Sequence, residues 1–131
     1  MADKLENFKK AAPTIFNDLV DKYGYTLDEI KTNQLNSQDW SVHLIYTNRD
    51  KNLQIVIKQE PYYTDYGFSF FIYKLGTGEY NILCHVEHHL QDKEDKFLQK
   101  AYIDLFTTKE TLDIITGDTW KELKRIPFQT A

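Results

Sequence analysis

The sequence predicts an α+β fold: an antiparallel meander sheet of four to five strands, with an N-terminal helix and two to three C-terminal helices packed on it. Three observations point there. Apolar residues recur at helical steps between Leu5 and Tyr23, alternate between Ser41 and Val86, and return to helical steps from Phe97 onward. Short clusters of turn-forming residues divide the alternating region. The chain has 131 residues, 41% of them hydrophobic and 15% aromatic, enough to build one core without a disulfide or a structural metal. Residues 1–131 are therefore read as a single domain.

Leu5, Phe8, Ala12, Ile15, Phe16, Leu19, Val20 and Tyr23 form one helical stripe. Pro13 lies inside it, so the helix kinks or begins there, and Gly24 closes it as a left-handed cap. Between 25 and 40 the pattern is weaker: Tyr25, Leu27 and Ile30 suggest a strand, although Thr26-x-x-Glu29 also has the form of a capping box. Asn33, Asn36, Ser37, Gln38 and Asp39 read as a polar turn, with Trp40 at its end. Val42, Leu44 and Tyr46 then alternate with His43 and Ile45, and Leu53, Ile55 and Ile57 with Gln54, Val56 and Lys58, giving a hairpin around Thr47–Asn52 that Pro61 ends.

Phe68, Phe70 and Ile72 alternate with Ser69, Phe71 and Tyr73. Both sets are largely apolar, which suits a central strand or one covered on its second face. After the Gly76-Thr77-Gly78 turn, Tyr80, Ile82, Cys84 and Val86 share one face and Asn81, Leu83 and His85 the other. Phe97, Leu98, Ala101, Tyr102, Leu105 and Phe106 make a helix, preceded by Asp92, Glu94 and Asp95, which complement its dipole. Thr108 caps a shorter helix ending at Gly117, and Asp118 or Thr119 opens a last turn bearing Trp120 and Leu123, stopped by Pro127.

Charge and composition exclude several functions. The net charge is −4, arginine appears only at 49 and 125, and the basic clusters are the pairs Lys9-Lys10 and Lys124-Arg125, so a nucleic-acid partner is not expected. No apolar run approaches the ~20 residues of a membrane span, and the charged start lacks the apolar stretch of a signal peptide. With a single cysteine, Cys84, the composition reads as cytoplasmic, and its Lys, Asn, Asp, Ile and Tyr usage as bacterial.

No catalytic motif is present: there is no nucleophile elbow, P-loop, dinucleotide fingerprint or EF-hand loop. Two groups stand out. Cys84-His85-Val86-Glu87-His88-His89 holds zinc-type ligands, and His85, Glu87, His88 and His89 are the metal candidates, with zinc the implied cofactor and a metal-dependent hydrolase the implied activity. The spacing matches neither zincin pattern, and a strand end with Cys84 and Val86 facing the core is the favoured reading, leaving no cofactor. If His43 borders His85 across the sheet, a His43–His85–His89 site is a further arrangement. The second group is Tyr62-Tyr63-Thr64-Asp65-Tyr66 with Trp40. Tyr62, Tyr63, Asp65, Tyr66 and Trp40 are the candidate binding residues, since tyrosine gives contact area and a polar handle at little entropic cost. The plain alternative is that these rings cover the sheet edge or pack under the C-terminal helices. A pocket between sheet and helices lined by Phe68, Phe70, Phe97 and Tyr102 is a third reading, built from the residues that an ordinary core would use.

A helix ending in Lys22-Tyr23-Gly24-Tyr25, the hairpin around Tyr46-Thr47-Asn48 with Leu53-x-Ile55, and a C-terminal stretch with Trp120 resemble small bacterial immunity-type and uncharacterised α+β proteins. The resemblance implies neutralisation of a toxin by binding it, and it assigns no individual residue a role. The expectation is thus a non-enzymatic bacterial interaction protein that binds a macromolecular partner through acidic, tyrosine-rich loops.

Overall fold

The computed structural model describes residues 2–60, 67–87, 91 and 96–121. They form α1 (Ala2–Ile15), α2 (Asp18–Asp21), β1 (Thr26–Leu35), β2 (Gln38–Asn48), β3 (Leu53–Gln59), β4 (Phe68–Lys74), β5 (Glu79–Val86), α3 (Lys96–Thr107) and α4 (Lys109–Thr116). The five strands make one antiparallel sheet in the order β1-β2-β3-β4-β5, a simple meander. The fold is α+β, with helices before and after the sheet.

Pro13 does not break α1. The helix continues to Ile15, breaks at Phe16 and Asn17, and resumes as the single turn α2. Proline removes one intrahelical donor and crowds the preceding turn, and the helix ends two residues later. The break is useful, because it turns Phe16 fully into the core. Gly24 follows at φ +81°, and Asn48 Nδ2 donates to Tyr23 O at 3.1 Å, fixing the entry into β1.

The polar turn is shorter than the sequence suggests. Asn36 (φ 54°) and Ser37 (φ 66°) alone reverse the chain, as in a two-residue hairpin with two left-handed positions. Asn33, Gln38 and Asp39 therefore belong to strands, and so does Trp40. Serine is a poor occupant of a left-handed site, costing about 1 kcal/mol or more against glycine. Ser37→Gly is expected to raise stability by ~0.5–1 kcal/mol, less the extra freedom glycine gives the unfolded chain; urea unfolding checks this.

One face of the sheet carries the core. Strand register lines up Ile30, Leu44, Ile57, Phe70 and Cys84, and beside them Thr32, Val42, Gln59, Phe68 and Val86. Over this face α1 packs on β2, α3 on β5 and on α1, and α4 on α3. Phe8, Phe16, Phe68, Phe97 and Phe70 meet ring to ring; Phe68 touches Phe97 at 5.7 Å and Phe8 at 6.2 Å. Cys84 is fully buried here, and burial pushes its thiol far above the ordinary range, as expected of an inert core cysteine. α4 ends at Gly117 (φ 84°), whose N–H bonds Ile114 O at 3.2 Å, and Thr108 occupies its N-cap in extended conformation without a side-chain cap bond. Residues 119–121 form no helix. Trp120 Nε1 instead donates to Glu79 Oε1 at 2.9 Å, and Lys121 O accepts from Asn81 Nδ2 at 2.9 Å, pinning this segment to the start of β5.

Two core tyrosines contrast. Tyr25 Oη donates to Ile115 O at 2.6 Å, tying the start of β1 to α4. Tyr46 Oη is buried without a partner among the described residues, and burial pushes its phenol up to about 12. A buried, unsatisfied hydroxyl costs about 1–3 kcal/mol, whereas a satisfied one contributes about 1. Tyr46→Phe is thus expected to stabilise the protein by ~1 kcal/mol, and Tyr25→Phe to destabilise it by ~1–2 kcal/mol, in the same denaturation assay.

Candidate functional site

Among the described residues, none of the side chains on the other face of the sheet joins the core cluster that the helices share. Strand register organises it into rows that cross the strands. Glu29, Ile45, Val56, Phe71 and Ile82 form one row; Thr26, Thr47, Gln54, Tyr73 and Tyr80 form the next; Lys31, His43, Lys58, Ser69 and His85 lie on the opposite side of the first. Rows are ~7 Å apart and strands ~4.8 Å apart, so neighbouring large side chains touch. Phe71 lies 5.9 Å from Tyr73 and 6.1 Å from Tyr80, and Tyr73 lies 5.8 Å from Tyr80, all between ring centroids. Lys58 Nζ sits 4.3 Å from the centre of the Phe71 ring, a cation on an aromatic face. Tyr80 is 53% exposed, while Ile45, Phe71, Tyr73 and Ile82 are half-buried.

This cluster depends on a bulge. Phe70 pairs with Cys84 but Phe71 with Ile82, so Leu83 is an extra residue in β5. Strict alternation places Tyr80 and Ile82 with Cys84 on the core face. The extra residue reverses the parity below it and turns Tyr80 and Ile82 to the open face beside Phe71 and Tyr73. Sequence reading missed these residues for that reason. The signal in the sequence is that Phe71 and Tyr73 make the second face of β4 apolar, a pattern that burial and a contact surface explain equally.

The residues singled out from the sequence are dispersed. Tyr62, Tyr63, Asp65 and Tyr66 lie outside the described residues. Trp40 is half-buried in β2, at the irregularity between the Asn33–Ser41 and Gln34–Asp39 pairs, and not in a turn. Of the metal candidates, His88 and His89 lie outside the described residues. His85 is on the open face with its Nδ1 2.9 Å from Ser69 Oγ, and Glu87 follows the end of β5. His43 and His85 do occupy the same row, but Lys58 and Ser69 stand between them. Three strand spacings, ~14 Å, separate their backbones, too far to share one ion, so the His43–His85 pairing is corrected. Among the described residues no group of three or more His, Cys, Asp and Glu side chains could hold a metal ion. His43 Nε2 instead lies 3.9 Å from Glu60 Oε2; the imidazole, and more weakly Lys58, hold the Glu60 carboxyl below its ordinary range. The rings of Phe68, Phe70, Phe97 and Tyr102 all lie within ring-contact distance of other core aromatics.

Burial holds His85 below its ordinary value of 6.5, against the opposing pull of Glu87 and a backbone hydrogen bond to Phe68. The folded state thus favours neutral His85. Its stabilising contribution is complete above 6.5 and is lost as the pH falls from 6.5 toward the lower folded value, because the unfolded chain takes up its proton first. His85→Asn is expected to flatten the stability profile over that range, read by urea unfolding from about pH 8 to about pH 5.

No helix among the described residues is long and apolar enough to cross a membrane. No family model matches the chain, and neither a curated protein nor a solved structure is significantly similar to it, so the open sheet face stands on its own geometry.

Proposed function

We propose that this chain is a non-enzymatic protein-binding domain whose contact surface is the open face of the sheet. The observation that carries the reading is the Phe71–Tyr73–Tyr80 cluster, bordered by Ile45, Val56 and Ile82, on the face turned away from the core that the described helices share. Ordinary burial explains the aromatic residues of the opposite face and leaves these unexplained. Aromatic rings with a polar tip are enriched at the centre of protein interfaces, where they supply area at low entropic cost. Neighbouring Lys58, Ser69, His85 and Gln54 provide a polar border. Relative to the loop-centred expectation, this reading moves the surface from Tyr62–Tyr66 to β3, β4 and β5. The resemblance to immunity-type proteins makes a toxin the first heterologous partner to try.

A photo-crosslinking amino acid at position 80, compared with one at exposed position 103 on α3, tests the reading in the source cells. A discrete protein adduct from position 80 and none from 103 is expected. An adduct from neither position, or the same adducts from both, ends the reading.

A further inference from the structure

We propose that Tyr73 and Tyr80 are an oxidative modification site, at which a peroxide and a one-electron catalyst join the two rings into an intramolecular dityrosine. The proposal does not depend on what the sheet face binds. Strand register carries it. Tyr73 of β4 and Tyr80 of β5 are direct antiparallel partners on one sheet face, because the extra residue at Leu83 reverses the parity of β5 below it. Directly opposed side chains have Cβ atoms ~4.5–5.5 Å apart, so the two phenols lie side by side. Their ring centroids are 5.8 Å apart and their planes are tilted by 38°. Phe71 backs both, at 5.9 Å from Tyr73 and 6.1 Å from Tyr80, which keeps the two rings together on this face.

Among the described residues this is the one ring contact between two tyrosines. The other described tyrosines lack either access or a partner phenol. Tyr25 and Tyr46 are 2% and 1% exposed. The Tyr102 hydroxyl donates to Asp18, and the rings of Tyr23 and Tyr102 each meet Phe106 and not one another. Tyr80 is 53% exposed and lies in an edge strand of the sheet. It is the ring that an oxidant in solution reaches, and the half-buried Tyr73 is oxidised through it.

The chemistry balances. Each phenol gives up one electron and its O–H proton and becomes a phenoxyl radical. A carbon–carbon bond then forms between the ring carbons ortho to the two oxygens. The hydrogen on each of those carbons shifts to the oxygen of its own ring and restores the phenol. Hydrogen peroxide takes the two electrons and two protons and leaves as two molecules of water. Burial, and then the neighbouring Tyr80 phenol, hold Tyr73 above its ordinary range, so at neutral pH it is protonated and gives up its proton with its electron. Coupling brings the rings closer than their present contact, and the exposed Tyr80 has room to turn about its side-chain bonds. Reaction within one chain outruns reaction between chains, because two groups already in contact act at an effective concentration far above micromolar.

The test treats the folded full chain, at low micromolar concentration, with hydrogen peroxide and a haem peroxidase, followed by proteolysis and mass spectrometry. The expected product runs as a single chain on a denaturing gel, is two hydrogen atoms lighter, shows dityrosine fluorescence and yields a peptide pair linked between Tyr73 and Tyr80. Tyr73→Phe and Tyr80→Phe are each expected to lose that product and Tyr46→Phe to keep it; circular dichroism confirms that each variant is folded. Unfolding in urea before oxidation is expected to spread the links over other tyrosine pairs, since the register between β4 and β5 is then gone. No dityrosine in the folded wild-type chain, links mainly between chains, or links mainly between other tyrosines overturns the proposal. A product that survives Tyr80→Phe does the same.

Discussion

Phe16→Ala is expected to cost about 3–5 kcal/mol, a large share of the ~5–15 kcal/mol that holds a domain of this size together. The ring is 0% exposed and occupies the break between α1 and α2. It faces Phe68 at 6.4 Å, Phe70 at 5.8 Å and Tyr102 at 6.3 Å, so one side chain joins the N-terminal helices to β4 and to α3. Deleting it loses the transfer free energy of the ring and leaves a cavity that three elements must close together. The neighbouring Asp18–Tyr102 hydrogen bond holds α2 on α3 and limits that collapse. Phe16→Leu fills most of the space and is expected to cost about 1–2 kcal/mol. Urea unfolding of both variants, with an unchanged slope, distinguishes cavity formation from a change of fold.

Gly67→Ala is the second large effect, at ~3 kcal/mol or more. Gly67 has φ +50°, and a Cβ there lies 2.4 Å from Val86 O, 3.1 Å from Glu87 Cα and 3.2 Å from Gln91 Nε2. The first two are backbone, so no side chain can swing aside. The region is also tightly bonded: Glu60 N donates to Gly67 O at 2.8 Å, and Gln91 Nε2 donates to Val86 O at 3.0 Å and to Gln59 Oε1 at 3.1 Å. A methyl group there pushes the start of β4 away from the end of β5. Gly76 is the control, with φ +82° and nothing within 4 Å of a built Cβ. Gly76→Ala is expected to cost only the conformational strain, ~1 kcal/mol. Equal losses for the two alanines in thermal or urea unfolding would show that backbone conformation, and not close approach, is what matters at Gly67.

Most element boundaries follow from periodicity and turn chemistry, which are local properties of the chain. Leu53, Ile55 and Ile57 alternate and all three are buried; Phe97, Leu98, Ala101 and Leu105 recur at helical steps and all are buried. The departures also have local explanations. Two left-handed residues suffice at Asn36 and Ser37, so β1 and β2 are longer than their apolar pattern, and Trp40 moves from turn to strand. The candidate site was legible only in part. His85 and Glu87 sit at the end of β5 as the alternation implies, but their association with His43 required strands 2 and 5 to be neighbours. A meander keeps them apart.

The meander of strands, the flanking helices and a buried Cys84 could be read from residue order alone, because each rests on patterns spanning a few residues. Which face of β5 carries Tyr80 and Ile82, and which sheet face the helices leave open, could not. Both depend on contacts between residues far apart in the chain. A single extra residue at Leu83 reverses side-chain parity, and the packing of α1 and α3 over Phe68 and Phe70 leaves Phe71 and Tyr73 on the other side. The aromatic surface on which the proposed function rests is therefore a product of tertiary pairing: its rings come from β4 and β5, and only the register between those strands brings them together.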